Sequence, residues 1–236
     1  MYKQIKYRLR DAIEIEEHHD GQYGAPGQKR QKKSKPTKMQ MSMKNQKNKE
    51  NTARRKLRMH FRVEDYFTRL SYRIAERPPD MDTAKEDFSR FIRKVRTEYK
   101  KRGCELKWIR NIEVGTKNAW HIHIVVNRIP DTDLILSRAW KHGAIHNQLI
   151  YDQGFVKLAA YITKSPLTDT RLRESSYSAS KNLPVPEPEK KVIRWKEFHK
   201  IRPPKGYYLD KETYFEGINA FGYKYRTYTF LRFTRD

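Results

Sequence analysis

Three residues in the middle of the chain have side chains suited to a metal site. His121 and His123 are separated by one residue, and Glu113 stands eight residues before the first histidine. Imidazoles and carboxylates are common ligands of divalent cations, and three protein ligands leave coordination positions open for a substrate oxygen. The spacing therefore predicts a catalytic metal, provided that the three side chains share one face.

The flanking sequence predicts a β-hairpin that provides this arrangement. Two strands, 106–114 and 120–127, are joined by a five-residue turn. If Val114 lies opposite Trp120, Glu113 lies opposite His121 and Asn111 opposite His123, so the imidazoles and the carboxylate project from the same face. The other face is apolar and consists of Trp108, Ile112, Val114, Trp120, Ile122, Ile124 and Val126.

A divalent cation that also binds phosphate oxygens is expected to be Mg²⁺ or Mn²⁺ rather than Zn²⁺. The alternative is that the two histidines alternate by chance on a half-buried strand and bind nothing. Glu113 on the opposite strand favours the metal site, with Glu113, His121 and His123 as its ligands.

A helix predicted over residues 154–164 supplies a nucleophile. Its apolar residues recur at helical spacing, while Lys157, Tyr161 and Lys164 form a different stripe. A tyrosine can attack an electrophile that a metal polarises, and a lysine one turn away can stabilise the developing charge or help to deprotonate the phenol. The alternative is that Tyr161 is an ordinary surface residue, as most of the 15 tyrosines must be.

The remaining pattern is that of a mixed α and β protein. A short strand is predicted at 66–72, a helix from Thr83 to Gly103, a short helix at 133–142 and a long loop at 175–188.

The charge balance points to a polyanionic partner. The 236 residues include 52 Lys and Arg against 28 Asp and Glu, a net charge of +24. No apolar run of about 18 residues predicts a membrane span, and the single cysteine, Cys104, excludes an internal disulfide. These features predict an intracellular, cytoplasmic protein that does not enter the membrane.

The basic excess is concentrated near the N-terminus. Residues 21–58 contain 13 Lys and Arg and one acid, with scattered apolar residues. We predict a largely disordered arm over residues 1–57 that follows nucleic-acid phosphates, although a tail that only aids solubility remains the alternative. Residues 58–236 are predicted to form the catalytic domain with a C-terminal extension.

Together, the motifs resemble the HUH endonuclease superfamily, and in particular the single-tyrosine rolling-circle replication initiators of bacterial plasmids, integrative elements and phages. The histidine motif is His121-Ile122-His123, the acidic ligand is Glu113, and the helix motif is Tyr161-Ile162-Thr163-Lys164. The resemblance extends from about Met59 to the C-terminus.

The resemblance implies a specific fold and reaction. The fold is α+β, with a central antiparallel sheet of about five strands, an RRM- or ferredoxin-like core and helices packed on it. The reaction is metal-dependent nicking and joining of single-stranded DNA at a replication origin. Tyr161 forms a 5′-phosphotyrosine and frees a 3′-hydroxyl, with Lys164 assisting. A separate helicase and a host polymerase are the expected partners, because the chain has no Gly-x4-Gly-Lys-Ser/Thr loop.

One family motif departs from the usual pattern. It is Phe67-Thr68-Arg69-Leu70-Ser71-Tyr72, with Arg69 where a small or apolar residue is common. Arg69, Lys117 and Lys157 are the predicted DNA-binding residues. Tyr151 and Tyr177 remain arguable as second acceptors.

Two other functional classes remain open. A single-strand transposase or a conjugative relaxase would use the same chemistry, although the order of the motifs argues against the relaxase. A non-catalytic single-stranded nucleic-acid-binding module is the other class, since residues 223–233 alternate aromatic and cationic side chains. A final strand with one aromatic face in the core is the preferred interpretation of that segment.

Overall fold

The structure is a computed structural model that describes residues 2–19, 37–115, 118–164, 177–194, 198–218 and 223–233. These residues form two compact units, one from residues 45–184 and one from residues 1–44 together with 185–236. The secondary structure confirms the predicted α+β class, and each unit contains a five-stranded antiparallel sheet among its described residues.

The sheet of residues 45–184 has the strand order β6-β3-β5-β4-β7. Its strands are β3 (Tyr66–Ser71), β4 (Trp108–Gly115), β5 (Ala119–Val126), β6 (Ile145–Leu149) and β7 (Ser178–Ala179). The helices of this unit are α1 (Lys38–His60, which begins in the other unit), α2 (Met81–Lys101), α3 (Thr132–Ala139) and α4 (Val156–Thr163), and a short 3₁₀ turn covers Ile74–Glu76.

Both faces of this sheet are covered. On one face, α2 and α3 bury Phe91, Val95 and Leu136 against the predicted apolar face of the hairpin. On the other face, α1 and α4 cover a second, smaller core. That core contains Ala53, Leu57, Phe61, Ile109, Val125, Ile150, Phe155, Ala159, Ile162 and Leu183. The sheet is therefore held between two layers of helix.

Helix α2 begins at Met81, two residues before the start that the sequence predicted. Its N-cap is Asp80, whose Oδ1 accepts a 2.8 Å hydrogen bond from the backbone N–H of Thr83. Aspartate is a preferred N-cap residue because its carboxylate satisfies one of the free N–H groups of the first turn.

The other unit contains the second sheet, with the order β8-β1-β2-β10-β9. Its strands are β1 (Tyr2–Arg8), β2 (Ala12–His19), β8 (Glu189–Ile193), β9 (Tyr207–Ile218) and β10 (Lys224–Arg232). A small core of Ile13, Ile15, Tyr228 and Phe230 lies on one face. The prediction that residues 223–233 form a final strand with buried aromatic side chains is confirmed by β10.

The N-terminal region corrects the expectation of a largely disordered arm over residues 1–57. Residues 2–19 form a hairpin, and residues 38–60 form α1, while residues 20–36 lie outside the described residues. Two apolar residues one turn apart, Ala53 and Leu57, are fully buried and dock α1, although cations surround them in the sequence. The two units also divide the chain differently from the predicted single domain over 58–236.

No helix among the described residues is both long and apolar enough to cross a membrane.

Candidate active site

The hairpin of β4 and β5 has the predicted register. Val114 pairs with Trp120, so Glu113 lies across from His121 and Asn111 lies across from His123. Alternation along the strands then places the carboxylate and both imidazoles on the face that α1 and α4 cover.

Helix α4 brings Tyr161 to this face. Ala159 and Ile162 are buried in the same core as Ile109 of β4 and Val125 of β5, so the helix is anchored on the hairpin. Tyr161 lies on the side of α4 that borders this core, and 38% of its surface is exposed. The phenol is therefore held by the fold and remains reachable by a substrate.

Three polar atoms meet at the centre of the site. The Tyr161 hydroxyl lies 3.2 Å from His123 Nε2 and 3.4 Å from Glu113 Oε2. His123 Nε2 and Glu113 Oε2 are themselves 3.4 Å apart. The ring of His121 lies farther out, with its centroid 6.4 Å from that of His123. The structure thus brings Tyr161, Glu113 and His123 into contact and leaves His121 beside them.

The protonation of these groups follows from burial and from their mutual charges. Burial and the negative charge of Glu113 raise the pKa of Tyr161 to about 12. Burial also acts to raise the pKa of Glu113, but the hydrogen bond and charge of His123, with the charge of Lys164, outweigh it and hold that pKa below its ordinary value. The site therefore holds a neutral phenol against a carboxylate at neutral pH.

His121 is favoured in its neutral form. Burial and the positive charges of Arg69 and His123 lower the pKa of its imidazole. A neutral imidazole is the form that ligates a metal.

The donor chemistry of the site fits a divalent cation, but the side chains are not gathered around one position. Buried Glu113 Oε1, His121 Nδ1 and His123 Nδ1 have no hydrogen-bond partner, which is unusual for buried polar atoms. Among the residues that the structure describes, however, no three His, Cys, Asp or Glu side chains lie close enough together to hold a metal ion. Binding a cation would require rotation of these side chains.

The predicted basic residues lie at different places. Lys164 is exposed at the end of α4, and its charge acts on Glu113. Arg69 is exposed on β3, directly across from His123, and its charge lowers the pKa of His121. Lys157 is exposed on the first turn of α4. Lys117 lies outside the described residues.

Sequence reasoning missed two residues of the site. The ring of Phe67 stacks on His123 at 5.6 Å and 11°, and meets Tyr161 edge-on at 5.7 Å and 89°. Asn111 is 1% exposed, and neither polar atom of its side chain has a hydrogen-bond partner. Both residues were detectable by period two, because Phe67 precedes Arg69 by two positions and Asn111 precedes Glu113 by two.

Comparison with known proteins agrees with the motifs. Residues 65–166 match the family model of the replication-associated protein ORF2. The matched segment includes Glu113, His121, His123 and Tyr161, as well as the strand that carries Phe67 and Arg69. No curated protein and no solved structure matches the chain. The family supports a role in replication initiation, and with it an interaction with DNA. Residues 65–166 of this chain belong to the replication-associated protein ORF2 family of rolling-circle replication initiators.

Proposed function

We propose that this chain nicks and rejoins single-stranded DNA at the replication origin of a mobile element, with Tyr161 as the nucleophile. One observation supports the proposal above all others. A half-exposed tyrosine hydroxyl lies within 3.4 Å of a carboxylate and an imidazole that the hairpin holds on one face. A binding module has no need for this contact.

The proposed reaction is a transesterification in two steps. The Tyr161 oxygen attacks the phosphorus of a phosphodiester, the bond from phosphorus to the 3′-oxygen breaks, and the departing oxygen takes a proton to become a 3′-hydroxyl. The phenol proton leaves to solvent or to a neighbouring base. The 5′-phosphate stays on Tyr161, and attack by a 3′-hydroxyl reverses the step and joins the strand without ATP.

The raised pKa of Tyr161 identifies what the site must supply. A phenol with a pKa of about 12 is protonated at neutral pH and is a weak nucleophile. Part of that rise comes from the negative charge of Glu113. The positive charges of Lys164 and Arg69 are suited to offset the negative charge that develops on the phosphate, and they give the scissile strand its anchoring points.

We further propose Glu113, His121 and His123 as ligands of Mg²⁺ or Mn²⁺. When bound, such a cation would polarise the scissile phosphate and neutralise the carboxylate that holds the phenol proton. The unpartnered atoms of the three side chains support this assignment, while their separation predicts that binding orders the site.

The test is formation of a covalent adduct. The purified protein is incubated with a labelled single-stranded oligonucleotide pool, or with DNA from around its own gene, and with Mn²⁺ or Mg²⁺ with or without EDTA. We expect a protein–DNA band on a denaturing gel that requires the metal and disappears in Tyr161→Phe. Tyr151→Phe is the matched control, since Tyr151 is 72% exposed and the substitution is chemically identical.

Two outcomes would overturn the proposal. An adduct that persists in Tyr161→Phe but disappears in Tyr151→Phe would show that the nucleophile is misassigned. Strong DNA binding with no adduct under any pool or metal would favour the non-catalytic binding module.

A further inference from the structure

A groove at the β7 edge of the sheet of residues 45–184 has the chemistry of a second nucleic-acid contact. It lies between the C-terminal half of α2, the start of β4 and the residues around β7, and its volume is about 960 Å³. Its apolar wall includes Leu106 and Trp108, and its rim includes Arg96, Lys100 and Lys181.

The three rim cations are exposed and have no acidic partner among the described residues. Their neighbours on α2 behave differently, because Lys101 and Arg102 both pair with Glu98, at 2.7 and 2.9 Å. The groove has a single acid, Glu105, in its lining. Unpaired cations around an apolar wall fit a strand of nucleic acid, whose phosphates are anionic and whose bases have apolar faces.

The wall also contains two buried polar atoms without hydrogen-bond partners, the indole N–H of Trp108 and the side-chain carbonyl of Asn182. The Asn182 amide nitrogen donates to the backbone carbonyl of Leu106 at 3.0 Å, which leaves its oxygen as an acceptor. A nucleobase edge has both acceptors and donors. A base in this groove therefore offers a partner of the right kind to each group.

The position of the groove relates it to the tyrosine. Trp108 and Glu113 are the first and sixth residues of β4, so about 17 Å of strand separates them at ~3.4 Å per residue. This distance is about five nucleotides at the ~3.4 Å spacing of stacked bases.

We propose that this groove binds the single-stranded DNA that flanks the cleavage position, through Arg96, Lys100 and Lys181. The assignment of the strand as the flank of a nick rests on the proposed function. The binding itself requires no chemistry at Tyr161. The groove would hold the origin strand while the phosphodiester reaches the phenol.

The test compares two triple variants built on Tyr161→Phe and assayed in EDTA, so that no covalent step contributes. The groove variant is Arg96→Ala, Lys100→Ala and Lys181→Ala. The matched control removes three exposed cations elsewhere on the same unit, by Arg93→Ala, Lys94→Ala and Arg138→Ala. Melting curves of both variants establish that they are folded, which is expected since all six side chains are exposed.

The measurement is the affinity for a labelled 20-nucleotide single strand as a function of salt. Each phosphate contact on a single strand contributes ~0.7 to the slope of log K against log[salt], so losing three contacts lowers the slope by about 2 and weakens binding ~100-fold at 0.1 M salt. We expect this loss in the groove variant and a much smaller one in the control. We also expect DNA to protect residues 100–108 and 178–183 from hydrogen exchange.

Equal losses in the two variants would overturn the proposal, since they would show that only overall charge matters. Protection of residues 100–108 from hydrogen exchange by an acidic peptide but not by DNA would assign the groove to a protein partner instead. A groove variant that loses affinity, combined with a parent chain that never forms an adduct, would support the groove and refute only the nicking proposal.

Discussion

Gly143 is the position where one added methyl group would most directly disturb the sheet that holds the site. A Cβ atom there would lie 2.1 Å from the backbone oxygen of Ser71 and 2.9 Å from the backbone nitrogen of Arg73. Both are rigid backbone atoms at the end of β3, where Ser71 pairs with His121. The substitution Gly143→Ala therefore forces β3 away from the segment that precedes β6.

The cost can be worked out from the hydrogen bonds at this point. The N–H of Ser71 donates to Ala144 at 2.9 Å, the N–H of Arg73 donates to His142 at 2.8 Å, and the indole of Trp140 donates to the carbonyl of Ser71 at 3.0 Å. Three lost bonds at ~0.5–1.5 kcal/mol each cost about 1.5–4.5 kcal/mol. The reduced entropy of the unfolded chain offsets ~0.4–1 kcal/mol of this loss. We therefore expect Gly143→Ala to lower the free energy of unfolding by about 1–4 kcal/mol.

The assay is urea unfolding followed by circular dichroism, with the midpoint and slope measured for each variant. The control is Gly115→Ala, where the new Cβ would meet its nearest atom at 3.4 Å, an ordinary contact. We expect Gly115→Ala to stay within ~0.5 kcal/mol of the parent, as surface substitutions generally do. A Gly143→Ala protein that unfolds at the parent midpoint, or a Gly115→Ala protein that loses as much, would refute the steric argument.

Two further predictions concern a helix cap and the metal. The hydrogen bond from Thr83 holds the pKa of the Asp80 carboxyl below its ordinary value. The cap therefore contributes stability above the unfolded pKa and loses it as pH falls through the folded pKa, so the difference in melting temperature between the parent and Asp80→Ala should shrink on acidification. A difference that grows toward low pH would contradict this sign. For the metal, Mn²⁺ at ~100 times its Kd should stabilise the folded protein by ~2.7 kcal/mol, seen as a rise in Tm. His121→Ala should abolish that rise and His146→Ala, an exposed histidine on β6, should keep it. An equal rise in both variants would place the metal elsewhere.

Local periodicity was enough to predict the centre of the site. The five-residue turn and the period of two placed Glu113 opposite His121, and the structure has that register. The helical spacing around Tyr161 likewise predicted an element that occurs as α4. These features depend on residues close in sequence, where backbone geometry allows few alternatives.

Other features depended on residues far apart in the chain. The 3.2 Å contact between Tyr161 and His123 follows from how α4 packs on the hairpin, and the stacking of Phe67 on His123 follows from the pairing of β3 with β5. The second sheet joins both ends of the chain, and its buried ion pair links Glu17 to Arg226 across 209 positions.

The sequence by itself therefore determined the ligand face, the nucleophile helix and the polyanionic partner. Only the tertiary structure decided which side chains touch, that the basic segment before His60 folds as α1, and that the two termini share a sheet. The physical reason is that alternation and helical period are set by neighbouring residues. Burial of an apolar face is instead satisfied by whichever distant segment packs against it, as Ala53 and Leu57 show within a run of cations.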